Sequence, residues 1–207
     1  MGSLTIPMRE SLMKVKSKKS KSKAIPTSEL ITSDFYVVSP KKFLIMFLGT
    51  MGGYALYWFY RHWENYKIAS GHNVWPAVRA FFSIFFAPIL FKNIASKQVD
   101  QSKEMSKKVD LLGTSYVLAY VASAAGDRLS AANIGNPYTI FMSLILMPVI
   151  CWCLYQTQLI ANSVCNDPNG ESNNTLSSLN YLWLVLGACY WVFTILFLRY
   201  KFLSVYM

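Results

Sequence analysis

The stretch Lys41–Trp63, KKFLIMFLGTMGGYALYWFYRHW, decides how this 207-residue chain is read. Two lysines open it, an apolar run fills Phe43–Tyr60, and Arg61 and His62 follow. As one helix the run is long enough to cross a hydrocarbon core of about 30 Å. Its aromatic end, with Tyr54, Tyr57, Trp58 and Tyr60, predicts a belt at headgroup level, where amphipathic rings favour the interface. Gly49 and Gly53 stand four apart and would share one helix face. They predict a flat strip where another helix approaches closely.

Working outward, three further apolar runs read as spans: Trp75–Phe91, Tyr138–Ile160 and Tyr181–Leu198. The first of these carries Arg79 about one turn in. At that depth a guanidinium snorkels to the headgroups, so Arg79 reads as an interface anchor. Pro88 and Pro148 predict kinks. Trp75–Phe91 also fits a re-entrant or surface-lying helix. Leu111–Gly126 is apolar but 16 residues long, just under the usual span of roughly 17–25 residues, and its place is left open. The fold class expected is therefore an all-α, polytopic membrane helix bundle of about four spans. Residues 35–207 form the helical domain, with spans near 43–60, 75–91, 138–160 and 181–198.

Charge sets the expected topology. Four spans put 17 basic residues on one side and only Arg61 and Lys67 on the other. The positive-inside rule then makes both termini cytoplasmic and places Ala161–Asn180, which holds no Lys or Arg, outside. Residues 1–34 read as a disordered lysine-rich tail. Within it Lys14, Lys16, Lys18, Lys19, Lys21 and Lys23 alternate with serine and valine. They act first as an orientation signal, and they also predict contact with anionic lipid headgroups, at about 1 kcal/mol per residue near the surface. The net charge of +10 does not imply nucleic acid, because flanking lysines of spans give the same total and no aromatic residues interleave with them for base stacking.

In the first run, Thr50, Gly52, Tyr54, Tyr57, Trp58 and Tyr60, written T-x-G-x-Y-x-x-Y-W-x-Y, resemble the first-span pattern of a family of small bacterial inner-membrane proteins, itself a domain of unknown function. The resemblance covers roughly residues 36–73. It implies a bacterial inner membrane and no reaction.

Catalytic chemistry is not predicted. The two histidines, His62 and His72, have no acidic or cysteine partners at ligand spacing, and no C-x-x-C, Walker, G-x-S-x-G or H-E-x-x-H pattern occurs. No cofactor or metal is expected. The chain reads as a non-enzymatic membrane protein acting through contact with lipid, with a membrane-protein partner or with a second copy of itself. The alternative is a small channel or transporter subunit; a polar cavity enclosed by the helices at mid-depth would favour it, and a closed apolar bundle would argue against it.

Overall fold

A computed structural model describes residues 33–99 and 102–206. The expected all-α bundle is what it shows: among those residues there are seven α-helices and no strand. The helices are α1 (Pro40–Gly49), α2 (Tyr54–Ser70), α3 (Pro76–Phe81), α4 (Ser83–Ala95), α5 (Lys103–Ala131), α6 (Met142–Val164) and α7 (Ser178–Tyr206). Short 3-10 turns occupy Tyr138–Phe141 and Glu171–Asn173. Three stretches, Lys103–Ala131, Tyr138–Val164 and Ser178–Leu203, are long and apolar enough to cross a membrane. This is the layout of a multi-pass membrane protein. Leu111–Gly126 lies inside the first of them, extended upstream by a polar start that Ser102 caps by accepting from the Met105 N–H.

Lys41–Trp63 is not one helix, and this corrects the reading of Phe43–Tyr60 as a straight span. Ser39 caps α1, Pro40 occupies its first turn, and the helix stops at Gly49. Met51 and Gly52 then take positive φ, 52° and 83°. Gly52 has no Cβ to strain there, and its N–H donates to the Phe47 carbonyl at 2.8 Å, satisfying an end carbonyl of α1. A continuous helix would separate Phe43 and Trp58 by roughly 22 Å along its axis. Their rings lie 6.3 Å apart, so the chain reverses at Thr50–Gly53. Trp75–Phe91 is interrupted too, at Phe82 between α3 and α4.

The four-span path is corrected by direct contacts. That path puts residues 97–98 and 163 on opposite membrane faces. Here Gln98 Nε2 donates to Ser163 Oγ at 3.4 Å, and Lys97 pairs with Asp34 at 3.2 Å. The Ser39 N–H donates to the Asn173 carbonyl at 3.3 Å. The loop between α6 and α7 therefore sits at the same end of the bundle as residues 34–42. A loop without basic residues satisfies the positive-inside rule on either side, which is why charge counting did not set its end of the bundle relative to residues 34–42.

The core lies where α1, α2, α4, α5 and α6 meet, around Phe43, Phe47, Trp58, Phe59, Leu90 and Tyr116. α7 stands apart from it. Only 6% of its most apolar window is buried, against 33% for α5. α7 docks on α1 through one face: Trp191 Nε1 donates to the Leu48 carbonyl at 2.8 Å, Thr194 Oγ1 reaches Met51 Sδ at 3.6 Å, and Gly187 lies against the α1 backbone. A Cβ on Gly187 would meet the Gly49 carbonyl oxygen and stand 2.8 Å from Thr50 Cα.

Candidate functional site

The reversal of the first apolar run brings its two basic ends to the lining of one cavity. Lys42, before the run, and Arg61, after it, line one cavity of about 930 Å³ between α7 and the α1–α3 segment. This is at the upper end of the usual 300–1,000 Å³ for small-molecule sites. The cavity is polarised along its length. Its charged and amide groups, Lys42, Arg61, Asn173 and Asn180, lie at the end where α1 and α7 begin, beside the apolar Leu179 and Trp183, while Met46, Gly53, Leu56 and Leu186 lie further along or at the reversal, where Thr50 and Tyr54 add hydroxyls. No Asp or Glu is among its lining residues.

Lys42 is the most informative of these groups. It is only 6% exposed, and Nζ donates to Asn173 Oδ1 at 2.6 Å and to the Thr175 carbonyl at 2.7 Å. Two of the three N–H donors of the ammonium are thus used, and both acceptors are neutral. The described ion pairs join Arg61 to Glu64, Lys92 to Asp110 and Lys97 to Asp34, so none supplies Lys42 with a counter-charge. Burial holds the Lys42 pKa below its ordinary value. Arg61 Nη1 donates to Glu64 Oε2 at 2.5 Å, and its guanidinium lies 5.7 Å from the Tyr36 ring centroid. Its Nε is buried without a hydrogen-bond partner. Asn173 Nδ2 donates to Tyr36 Oη at 3.0 Å, and Tyr36 Oη is 3.3 Å from Tyr54 Oη. One hydrogen-bonded chain therefore runs from Lys42 into the wall.

Behind that wall a buried amide network fixes the segment 35–38 that leads into α1. Gln158 and Asn162, one turn apart on α6, are both fully buried. Gln158 Oε1 accepts from Trp58 Nε1 at 2.5 Å and lies 3.2 Å from His62 Nε2. Its Nε2 donates to the Tyr36 carbonyl at 3.0 Å and to Asn162 Oδ1 at 2.6 Å. Asn162 Nδ2 donates to the Val38 carbonyl at 2.9 Å. Because Gln158 Oε1 accepts, His62 carries its proton on Nε2, which leaves Nδ1 buried and without a partner. Burial pushes the His62 pKa down to about 3, so the ring is neutral at pH 7.

The residues singled out in the sequence fall in different places. Tyr54, Tyr57 and Tyr60 line the cavity, the first buried and the others exposed. Trp58, expected at a headgroup belt, is fully buried against Gln158, because the reversal turns it into the core. Arg79 stacks 4.3 Å over the Trp63 ring and 5.2 Å from that of Phe86. Gly49 and Gly53 do not share a face, since α1 ends between them. Gly49 abuts Leu184 of α7, whereas a Cβ on Gly53 would meet only Thr50, at 3.1 Å. Lys14, Lys16, Lys18, Lys19, Lys21 and Lys23 lie outside the described residues.

Sequence reasoning missed Gln158, Asn162, Asn173 and Gly187. The signal for Gln158 was present: an amide inside an otherwise apolar span must find partners within the protein. Among the described residues no group of three or more His, Cys, Asp or Glu is placed to hold a metal ion. No family model matches the chain, and no curated protein or solved structure matches it.

Proposed function

We propose that this protein is a non-enzymatic membrane protein that works by contact, holding a membrane amphiphile in the cavity between α7 and the α1–α2 reversal. The observation that carries the reading is the cavity's shape and lining: polar at the end where α1 and α7 start, apolar and aromatic further in. Such a polarity gradient matches a molecule lying parallel to the helices with its head at the bilayer surface. α7, attached mainly to α1, forms a wall that an acyl chain can pass. A closed apolar bundle would have had no place for such a ligand. A carboxylate-lined pathway would have favoured the transport alternative, and no carboxylate lines this cavity.

The resemblance of the first run supports a bacterial inner membrane as the location. Seventeen of the 20 basic residues precede Val109, leaving Arg128, Arg199 and Lys201 for the remainder. With three crossing helices this asymmetry favours a cytoplasmic N-terminal side and a C-terminus across the membrane.

Extensive washing in a non-lipid detergent, followed by mass spectrometry of what stays bound, tests the reading. About one lipid per chain is expected. Ala77→Trp, which places an indole in the cavity from the exposed start of α3, should retain clearly less while unfolding at the same temperature. Equal retention by the filled variant would overturn the proposal.

A further inference from the structure

The two basic groups at the polar end of the cavity specify the head of its occupant. We propose that Lys42 and Arg61 form a phosphate-reading site, and that the cavity takes an anionic phospholipid from the bilayer in preference to a zwitterionic one. This rests on the amphiphile reading above and adds the headgroup chemistry to it.

Lys42 is the centre of the argument. A buried ammonium is costly unless something compensates its charge, and most long charged side chains avoid burial by extending to solvent. Lys42 does not. Asn173 and the Thr175 carbonyl hold it at the cavity wall, and Gly170 keeps that loop in place. A Cβ there would stand 2.5 Å from Ser39 N, so the loop lies directly on the segment that leads into α1. The loop thus positions a cation without neutralising it. The missing negative charge is one that a ligand can bring.

Arg61 enters from the other side of the reversal. Glu64 engages its Nη1, which orients the guanidinium while its Nε stays buried and unpartnered. A phosphate has enough acceptor oxygens to take an N–H from both Lys42 and Arg61, and charge-assisted bonds of this kind are roughly twice as strong as neutral ones. The side chains that share this end of the cavity, Tyr36, Asn173 and Asn180, offer neutral hydrogen bonds to the ester and glycerol oxygens. A choline headgroup would instead bring a third cation beside Lys42 and Arg61. That explains a preference for a head with net negative charge. The inner-membrane orientation is not needed for the argument, because the head lies wherever α1 and α7 start.

The test uses the full chain, delipidated in detergent, with phosphatidylglycerol and phosphatidylcholine carrying identical acyl chains. Bound lipid per protein and the shift in unfolding temperature are read at increasing concentration of each. The phosphate is common to both lipids, so the difference lies in the choline cation: phosphatidylglycerol should bind at least about tenfold more tightly, the factor that keeping one like charge away from two partly buried cations commands. Lys42→Gln and Arg61→Gln should each remove most of that preference, and Lys42→Arg should keep it. A variant with the six tail lysines changed to Gln should also keep it, which separates the cavity from any attraction at the tail. Should Lys42→Gln fail to fold, Arg61→Gln and the tail variant decide the matter alone. Equal affinity for the two lipids, or loss of the preference only in the tail variant, overturns the headgroup assignment while leaving the amphiphile reading intact. Binding of neither lipid overturns both. Inorganic phosphate is a control: if it stabilises the protein as much as phosphatidylglycerol does, the site reads free phosphate and the lipid assignment fails.

Discussion

Replacing Gln158 with Leu tests whether the amide network holds the α1–α2 reversal against α6. Leu has nearly the same volume, so the change removes hydrogen bonds rather than packing. Four contacts disappear: those with Trp58 Nε1, His62 Nε2, the Tyr36 carbonyl and Asn162 Oδ1. Side-chain hydrogen bonds within membranes average about 0.6 kcal/mol, so four of them set a lower bound of about 2 kcal/mol. The upper bound comes from the donors left behind. Trp58 and His62 are both fully buried, and each orphaned N–H costs about 1–3 kcal/mol, or about 6 kcal/mol together at most. A loss of about 2–6 kcal/mol is therefore expected, a large part of the 5–15 kcal/mol that a folded domain typically has. Reversible unfolding of the detergent-solubilised protein measures it. The double variant Gln158→Leu with Trp58→Phe sharpens the test, because Phe has no N–H to orphan. The two changes should then be less than additive by about 1 kcal/mol or more. A loss for Gln158→Leu below about 1 kcal/mol, or strict additivity in the cycle, would refute the reasoning.

Other consequences can be checked in the same preparation. His62 has a folded pKa near 3 against an ordinary 6.5, so unfolding takes up a proton below pH 6.5. Stability should be full above that value and fall by about 1.4 kcal/mol per pH unit between 6 and 4. His62→Phe should flatten that part of the profile, and an unchanged slope would remove His62 as its source. Gly187→Leu should push α7 off α1, since the new side chain meets backbone at Gly49 and Thr50. Cysteines introduced by Met51→Cys and Thr194→Cys should crosslink in the parent and not beside Gly187→Leu. Asn169→Cys, exposed in the α6–α7 loop, should react with an impermeant thiol reagent from the same membrane face as a tag on the N-terminus. Labelling only from the opposite face would contradict the contacts between that loop and residues 34–42.

The sequence made the bundle legible because long apolar runs in water-excluded surroundings have few alternatives to helix. Tyr138–Ile160 falls inside the helical stretch Tyr138–Val164, and Tyr181–Leu198 inside α7, for that reason. Lys103–Asp110 hid the true length of α5, because its charges mark a solvated helix and the apolar run from Leu111 reads as a separate segment, whereas one helix capped by Ser102 carries both. The reversal at Thr50–Gly53 was not legible from hydropathy, which ignores the sign of φ. Its cue was the doublet Gly52-Gly53, of which Gly53 was read together with Gly49 as a packing feature. The cavity followed from the reversal, so Lys42 and Arg61 were assigned to opposite membrane faces and their convergence was missed. Gly49 was rightly noticed as small, but the glycine that approaches it, Gly187, lies 138 positions later in an apolar run where nothing local marks it.

The amide network also imposes an order on how the chain is made. Trp58 and His62 leave the ribosome 96–100 residues before Gln158, the acceptor they share, and Val38 precedes Asn162 by 124. Until α6 is synthesised, the first apolar run can pack on α4 and α5 but lacks the wall that carries Gln158 and Asn162, and the Trp58 and His62 N–H groups lack their shared acceptor. The reversal at Thr50–Gly53 is thus completed late by an element inserted much later. A nascent chain stopped before Met142 should leave Trp58 open to collisional quenchers, and one extended past Val164 should protect it.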